Sequence, residues 1–150
     1  MGEPSGVVAV DIVNKQLGDY MTMTWKYVKK TSEDKITAVE KNNKVNLPKD
    51  LKDLILANNN GRPTLSTFDT KKTKERVLKK LLSYNEDDTE NIYDAIDFLQ
   101  GQKDLFPIGS DPFGNFICLE NSNKIVFFNH ETNEIEDIAN SVTEFMNKLY

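Results

Sequence analysis

The 150-residue chain has one cysteine, Cys118, and one histidine, His130. A single cysteine rules out an internal disulfide, and a reducing, cytoplasmic compartment is the expected location. The two residues together fall short of the three or four N and S donors of a zinc site. No metal and no other cofactor is expected. Long apolar runs are also missing. The longest, residues 6–13, is interrupted by Asp11, whereas a membrane span needs roughly 20 apolar residues. That run lacks the basic flank and small-residue cleavage site of a signal peptide. Positive charge is in deficit, with 19 Lys and Arg against 24 Asp and Glu and a net charge of −5. Nonspecific nucleic-acid binding is therefore not expected, while a basic protein partner would be steered towards such a chain.

What is present suits one globular domain. The chain is 38% apolar and 29% charged, with eight Phe, five Tyr and Trp25 as bulky core material. Residues 1–22 stand apart as a leader or extension of unknown role. Within them Val7, Val8, Val10, Ile12 and Val13 suit either an added edge strand or a leader foreign to the domain. Residues 23–150 form the expected domain.

Trp25 opens a short extended element and is expected to cover the core. Thr31, Ser32, Glu33 and Asp34 mark a helix start, with hydroxyl caps and first-turn acids. Leu47 and Pro48 open a second helix, with Pro48 at its first position. Leu51, Leu54 and Ile55 form its buried face. Residues 58–61, Asn-Asn-Asn-Gly, close it through residues that tolerate left-handed backbone. Residues 75–82 suit a helix or, less cleanly, a strand. Ile92, Ile96 and Leu99 predict an amphipathic helix over residues 89–99. Residues 105–108, 115–119, 125–128 and 134–138 read as strands. A hairpin turn at Asn121, Ser122 and Asn123 joins the second and third of these. Ser141 and Glu144 form a capping box ahead of a terminal helix lined by Val142, Phe145, Met146 and Leu149. Helices first, then strands interrupted by a helix, then a helix: this order predicts an α+β fold.

Several of these pieces, in this order, resemble the SUKH superfamily, the group of the fungal Smi and Knr cell-wall regulators. They are Ile36, Val39 and Glu40; Leu47, Pro48, Asp50 and Leu51; and Asn60, Gly61, Arg62 and Pro63. Further on come Leu81 to Asn85, then Pro107 and Ile108 followed by Asp111, Phe113, Gly114, Asn115, Phe116, Ile117 and Cys118. Lys124 to Glu131 and Ile138, Ala139, Ser141 and Phe145 complete the set. The likeness covers about residues 25–149. It implies a single α+β domain, a twisted, mainly antiparallel sheet flanked by helices, with residues 81–85 as a strand. It also implies protein binding. Bacterial members resemble immunity proteins that neutralise secreted or contact-delivered toxins, often nucleases, and fungal members resemble signalling scaffolds. The family offers no catalytic motif to carry over.

The residues themselves give no ground for an enzyme. No Gly-x-Ser-x-Gly elbow exists, and His130 beside Glu131 has no third group to complete a triad. A strand-end hydrogen bond is its plainer role. Asn85, Glu86, Asp87 and Asp88 match part of a calcium loop in composition only, without the alternating oxygen ligands, central Gly and terminal Glu. Lys71, Lys72, Lys74 and Arg76 lack interleaved aromatics for base stacking and read as a solvated charge run. Cys118, between Ile117 and Leu119, has the pattern of a buried, inert thiol. Asp111, Pro112, Phe113, Gly114 and Asn115 read as a structural turn, with Phe113 anchoring it in the core. If binding is the function, the expected contact surface joins the acids Glu86, Asp87, Asp88, Glu90, Asp94 and Asp97 to the turn bearing Asn60 and Arg62. The expected partner is a basic protein toxin met by a monomer.

Overall fold

The structure, a computed structural model, describes residues 23–121 and 123–150. The leader, with its alternative readings, and Ser122 of the expected hairpin turn lie outside the described residues.

Strand β1 (Trp25–Lys26) leads into helix α1 (Glu33–Asn43). Ser32 caps α1 by accepting the Lys35 N–H, and Glu33 and Asp34 favour the positive end of the dipole. Ile36 and Val39 form its buried edge. Helix α2 (Lys49–Asn58) buries Leu51, Leu54 and Ile55. Pro48 is its N-cap rather than its first helical residue, so the helix starts one residue later than the sequence suggests, and the Pro48 carbonyl accepts from Leu51 and Lys52. Beyond α2 the left-handed residue is Asn60, at φ 69°. Gly61 serves a different need: a Cβ there would lie 2.7 Å from the Asn58 carbonyl oxygen and 3.0 Å from the Trp25 ring.

Strand β2 (Arg62–Pro63) pairs with β1, and β3 (Thr67–Phe68) pairs with β4 (Arg76–Val77). Residues 75–82 thus form no helix. They split into β4 and β5 (Lys80–Leu81), and β5 joins a different sheet. That sheet is an antiparallel meander in the order β5, β6 (Leu105–Ser110), β7 (Phe116–Glu120), β8 (Lys124–Phe128), β9 (Ile135–Ala139). Between β5 and β6 lies helix α3 (Ile92–Phe98), capped by Asn91, whose side chain accepts the Asp94 N–H at 2.8 Å. It starts three residues later than its periodicity suggests. Glu90 sits at φ 54°, outside right-handed helical space, so Thr89 and Glu90 belong to the loop. Helix α4 (Val142–Lys148) closes the domain. Ser141 caps it by accepting the Glu144 N–H, while the Glu144 carboxylate reaches back to the Asn140 N–H. The result is a single α+β domain.

Pleating divides the sheet between two apolar clusters. Ile117 and Leu119 of β7 and Ile125 and Phe127 of β8 enter the main core with Phe68, Leu51, Leu54 and Phe145. Phe68 packs edge-on against Phe145 at 5.3 Å. Trp25, as expected, is buried in this core. The alternate residues Cys118, Val126 and Phe128 form a smaller cluster with Leu99 at the end of α3. Burial pushes the Cys118 thiol up, so it is a neutral core group. Helix α3 has only seven residues. Phe116, at the start of β7, is only half-buried, and Phe98, at the end of α3, is exposed.

Candidate protein-binding site

The turn between β6 and β7 is built around one buried carboxylate. Asp111 is 5% exposed. It accepts the Phe113 and Asn115 backbone N–H groups, both at 2.8 Å, and the Asn115 side-chain amide at 2.9 Å. The Asn115 side-chain oxygen in turn accepts the His130 backbone N–H. His130 Nε2 donates to the Phe113 carbonyl at 3.1 Å, the strand-end hydrogen bond anticipated for it. Gly114 completes the turn at φ 88°. Contrary to the sequence expectation, Phe113 does not enter the core and is 78% exposed. The anchor is Asp111, whose three hydrogen bonds leave the neighbouring ring free to point outwards.

Between this turn and α3 lies a cleft of about 430 Å³. Leu82, Ala95, Phe98, Pro112 and Phe116 supply its apolar surface, and Glu90 and Asp94 its carboxylates. Phe98 is 59% exposed. Its ring lies 5.6 Å from that of Phe116 and 6.2 Å from that of His130.

The loop leading into α3 is held by polar contacts. Asp88 accepts from Ser83 at 2.6 Å, from Asn85 at 3.2 Å and from Lys29 at 3.0 Å. The Ser83 hydroxyl does most to lower the pKa of this carboxyl, with Lys29 and Asn85 helping against burial. Glu90 binds Lys79 at 2.6 Å and Ser110 at 2.8 Å. Burial pushes its carboxyl up, but these two partners outweigh it and the net shift is down. Beneath them Lys80 is buried, its ammonium donating to Asn60 Oδ1 and to the Thr89 carbonyl. Burial lowers its pKa, partly offset by Glu90 and Asp88.

The model of the SMI1 / KNR4 family (SUKH-1) matches residues 30–148. The chain belongs to this family. A crystal structure of a protein from Pseudomonas syringae pv. tomato is similar to it, with a TM-score of 0.58 and 14% identity, over 93% of this chain and 97% of that one. At that identity the likeness shows the fold alone. Among curated proteins nothing matches.

This SUKH domain treats its sequence-selected residues unequally. Glu86, Asp87, Asp94 and Asp97 are exposed and form no ion pair among the described residues. Asp88 and Glu90 are half-buried and engaged as above. Asn60 is buried, its amide donating to the Tyr27 carbonyl at 2.9 Å while its oxygen receives Lys80. Arg62 is exposed, its guanidinium 5.4 Å from the centre of the exposed Tyr27 ring. Leu47 is buried, and its N–H donates to Glu40 at 2.8 Å. Of the basic run, Arg76 is engaged by Glu136 and lies 3.8 Å over Phe127, whereas Lys71, Lys72 and Lys74 are exposed.

Sequence reasoning does not reach Phe98 or the cleft. One signal does exist: at about 100° per residue, Phe98 falls beside Asp94, well away from the Ile92, Ile96 and Leu99 stripe. The cleft's other wall comes from residues 110–116, which no local pattern joins to α3.

Proposed function

We propose that this SUKH domain is a non-enzymatic protein-binding module acting as an immunity protein, one that binds and neutralises a cognate secreted or contact-delivered bacterial toxin. Family membership over residues 30–148 carries the reading. The chemistry of the two residues best suited to catalysis supports it. The Cys118 thiol is buried and pushed towards its neutral form, and the ring of His130 is committed to a backbone carbonyl. No helix of the described residues is long and apolar enough to cross a membrane. The proposed setting is the cytoplasm, and the proposed partner a toxin of basic surface, such as a nuclease, met by a monomer.

The test is co-expression with the toxin gene lying beside its own. Restored growth, together with a stable complex of the two purified proteins, is the expected result. Failure to rescue from any neighbouring toxin would remove the reading. The same family match supports a second one, a regulatory scaffold of the Smi/Knr type. That scaffold would have several partners in its native cell and no dependence on a toxin.

A further inference from the structure

The geometry points to the cleft between α3 and the turn at residues 111–115 as the partner-docking surface, and to its occupant as a basic protein segment that inserts an apolar or aromatic side chain. This rests on the protein-binding reading above and moves the contact away from the Asn60 turn.

Three observations carry it. First, the exposed Phe98 lines a cleft together with Leu82, Ala95 and Phe116, and Phe113 stands exposed on the turn whose Pro112, Gly114 and Asn115 line its other side. Exposed aromatic rings around a concave apolar surface are where binding energy concentrates. Second, the ring of Phe113 sits on a turn already fixed by Asp111, Asn115 and His130. A partner therefore spends little free energy ordering that backbone, which leaves more of the contact energy as affinity. Third, the charges decide the kind of partner. Lys79 is the one cation lining the cleft among the described residues, and Glu90 holds it at 2.6 Å. Asp94 on the wall and Asp97 one helical turn on have no cationic partner among the described residues. The nearest free charge is thus negative, and a segment carrying Lys or Arg beside its apolar anchor complements it. A second copy of this chain does not, because pairing the same cleft would bring acid against acid on a molecule of net charge −5.

The test uses the full chain, isotopically labelled, and two synthetic peptides of equal aromatic content. One repeats Lys-Lys-Phe and the other Glu-Glu-Phe. In low salt the basic peptide should shift the amide resonances of Asp94, Ala95, Phe98, Phe113 and Asn115, and the acidic one should leave them unmoved. The double variant F98S/F113S replaces two exposed side chains and should remain folded by circular dichroism. It should weaken the basic peptide at least tenfold. D94K/D97K should abolish the preference for it. Shifts mapping elsewhere, equal shifts from both peptides, or sedimentation showing a dimer that F98S/F113S dissolves would each overturn the proposal.

The neighbouring toxin, where it binds, separates this inference from the immunity reading. If F98S/F113S still neutralises it with unchanged affinity, the cleft is not the docking surface and the immunity role stands. If the basic peptide occupies the cleft and no toxin is neutralised, the immunity role falls and the docking surface stands.

Discussion

The carboxylates of this domain fall into two groups that use the same chemistry for opposite ends. Asp88, Glu90, Asp111 and Glu136 are absorbed by the fold. Glu136 is the clearest case, held by two Arg76 guanidinium nitrogens at 3.1 and 3.0 Å and by the Thr70 and Thr73 hydroxyls. These contacts fasten the loop between β3 and β4 onto β9. Glu86, Asp87, Asp94 and Asp97 are left to solvent. The difference teaches that an acidic stretch is not one surface. Two of its six members are structural fasteners, and the four exposed ones are available to a partner.

Breaking the first group should cost stability, and breaking the second should not. The largest effect is expected for Glu136→Ala, which strands a largely buried guanidinium. Urea unfolding should show a loss of about 2–3 kcal/mol. Asp111→Ala removes three hydrogen bonds at a buried site and should cost about 2 kcal/mol. Faster amide exchange at Phe113 and Asn115 should accompany it. An unchanged exchange rate would mean that Gly114 and His130 hold the turn unaided.

Acid sharpens the same contrast. Burial pushes Glu136 up, but Arg76, Thr70 and Thr73 outweigh it, so its folded pKa lies below the usual value. Asp88 and Glu90 are lowered too. In each case the unfolded chain binds the proton more readily. The stabilisation is fully present above about pH 4–4.5, the unfolded carboxyl range, and is lost as pH falls through the lower folded values. The urea midpoint should fall in that window, and less steeply in Glu136→Gln. Equal slopes would remove Glu136 from the account. The smallest effect is expected for Asp94→Ala and Asp97→Ala, each within about 0.5 kcal/mol of the parent. A larger loss from either would mean that the helix needs these acids for itself.

Much of the architecture is legible in the sequence because it is written in local patterns. Ser32, Ser141 and the apolar spacing of α2 locate helices to within a residue or so, and short apolar or aromatic runs locate β6 to β8. The departures have a common origin. Residues 75–82 divide between two sheets, and their pairing with β3 and β6 is a long-range matter. Periodicity misplaces the start of α3 because Glu90 adopts a left-handed conformation while gripping Lys79 and Ser110. Apolar character points Phe113 to the core, yet the buried anchor is the aspartate two residues before it.

The sequence alone determined the α+β class, the family likeness and the net acidity, since composition, periodicity and ordered motifs are properties of the chain taken in order. Tertiary structure decided which carboxylates remain free and that Phe98 meets Phe116. Those depend on which groups come within hydrogen-bonding reach across tens of residues: Asp88 with Lys29, Glu90 with Ser110, Glu136 with Arg76. Only packing brings α3 and the turn at residues 111–115 close enough to form a cleft between them.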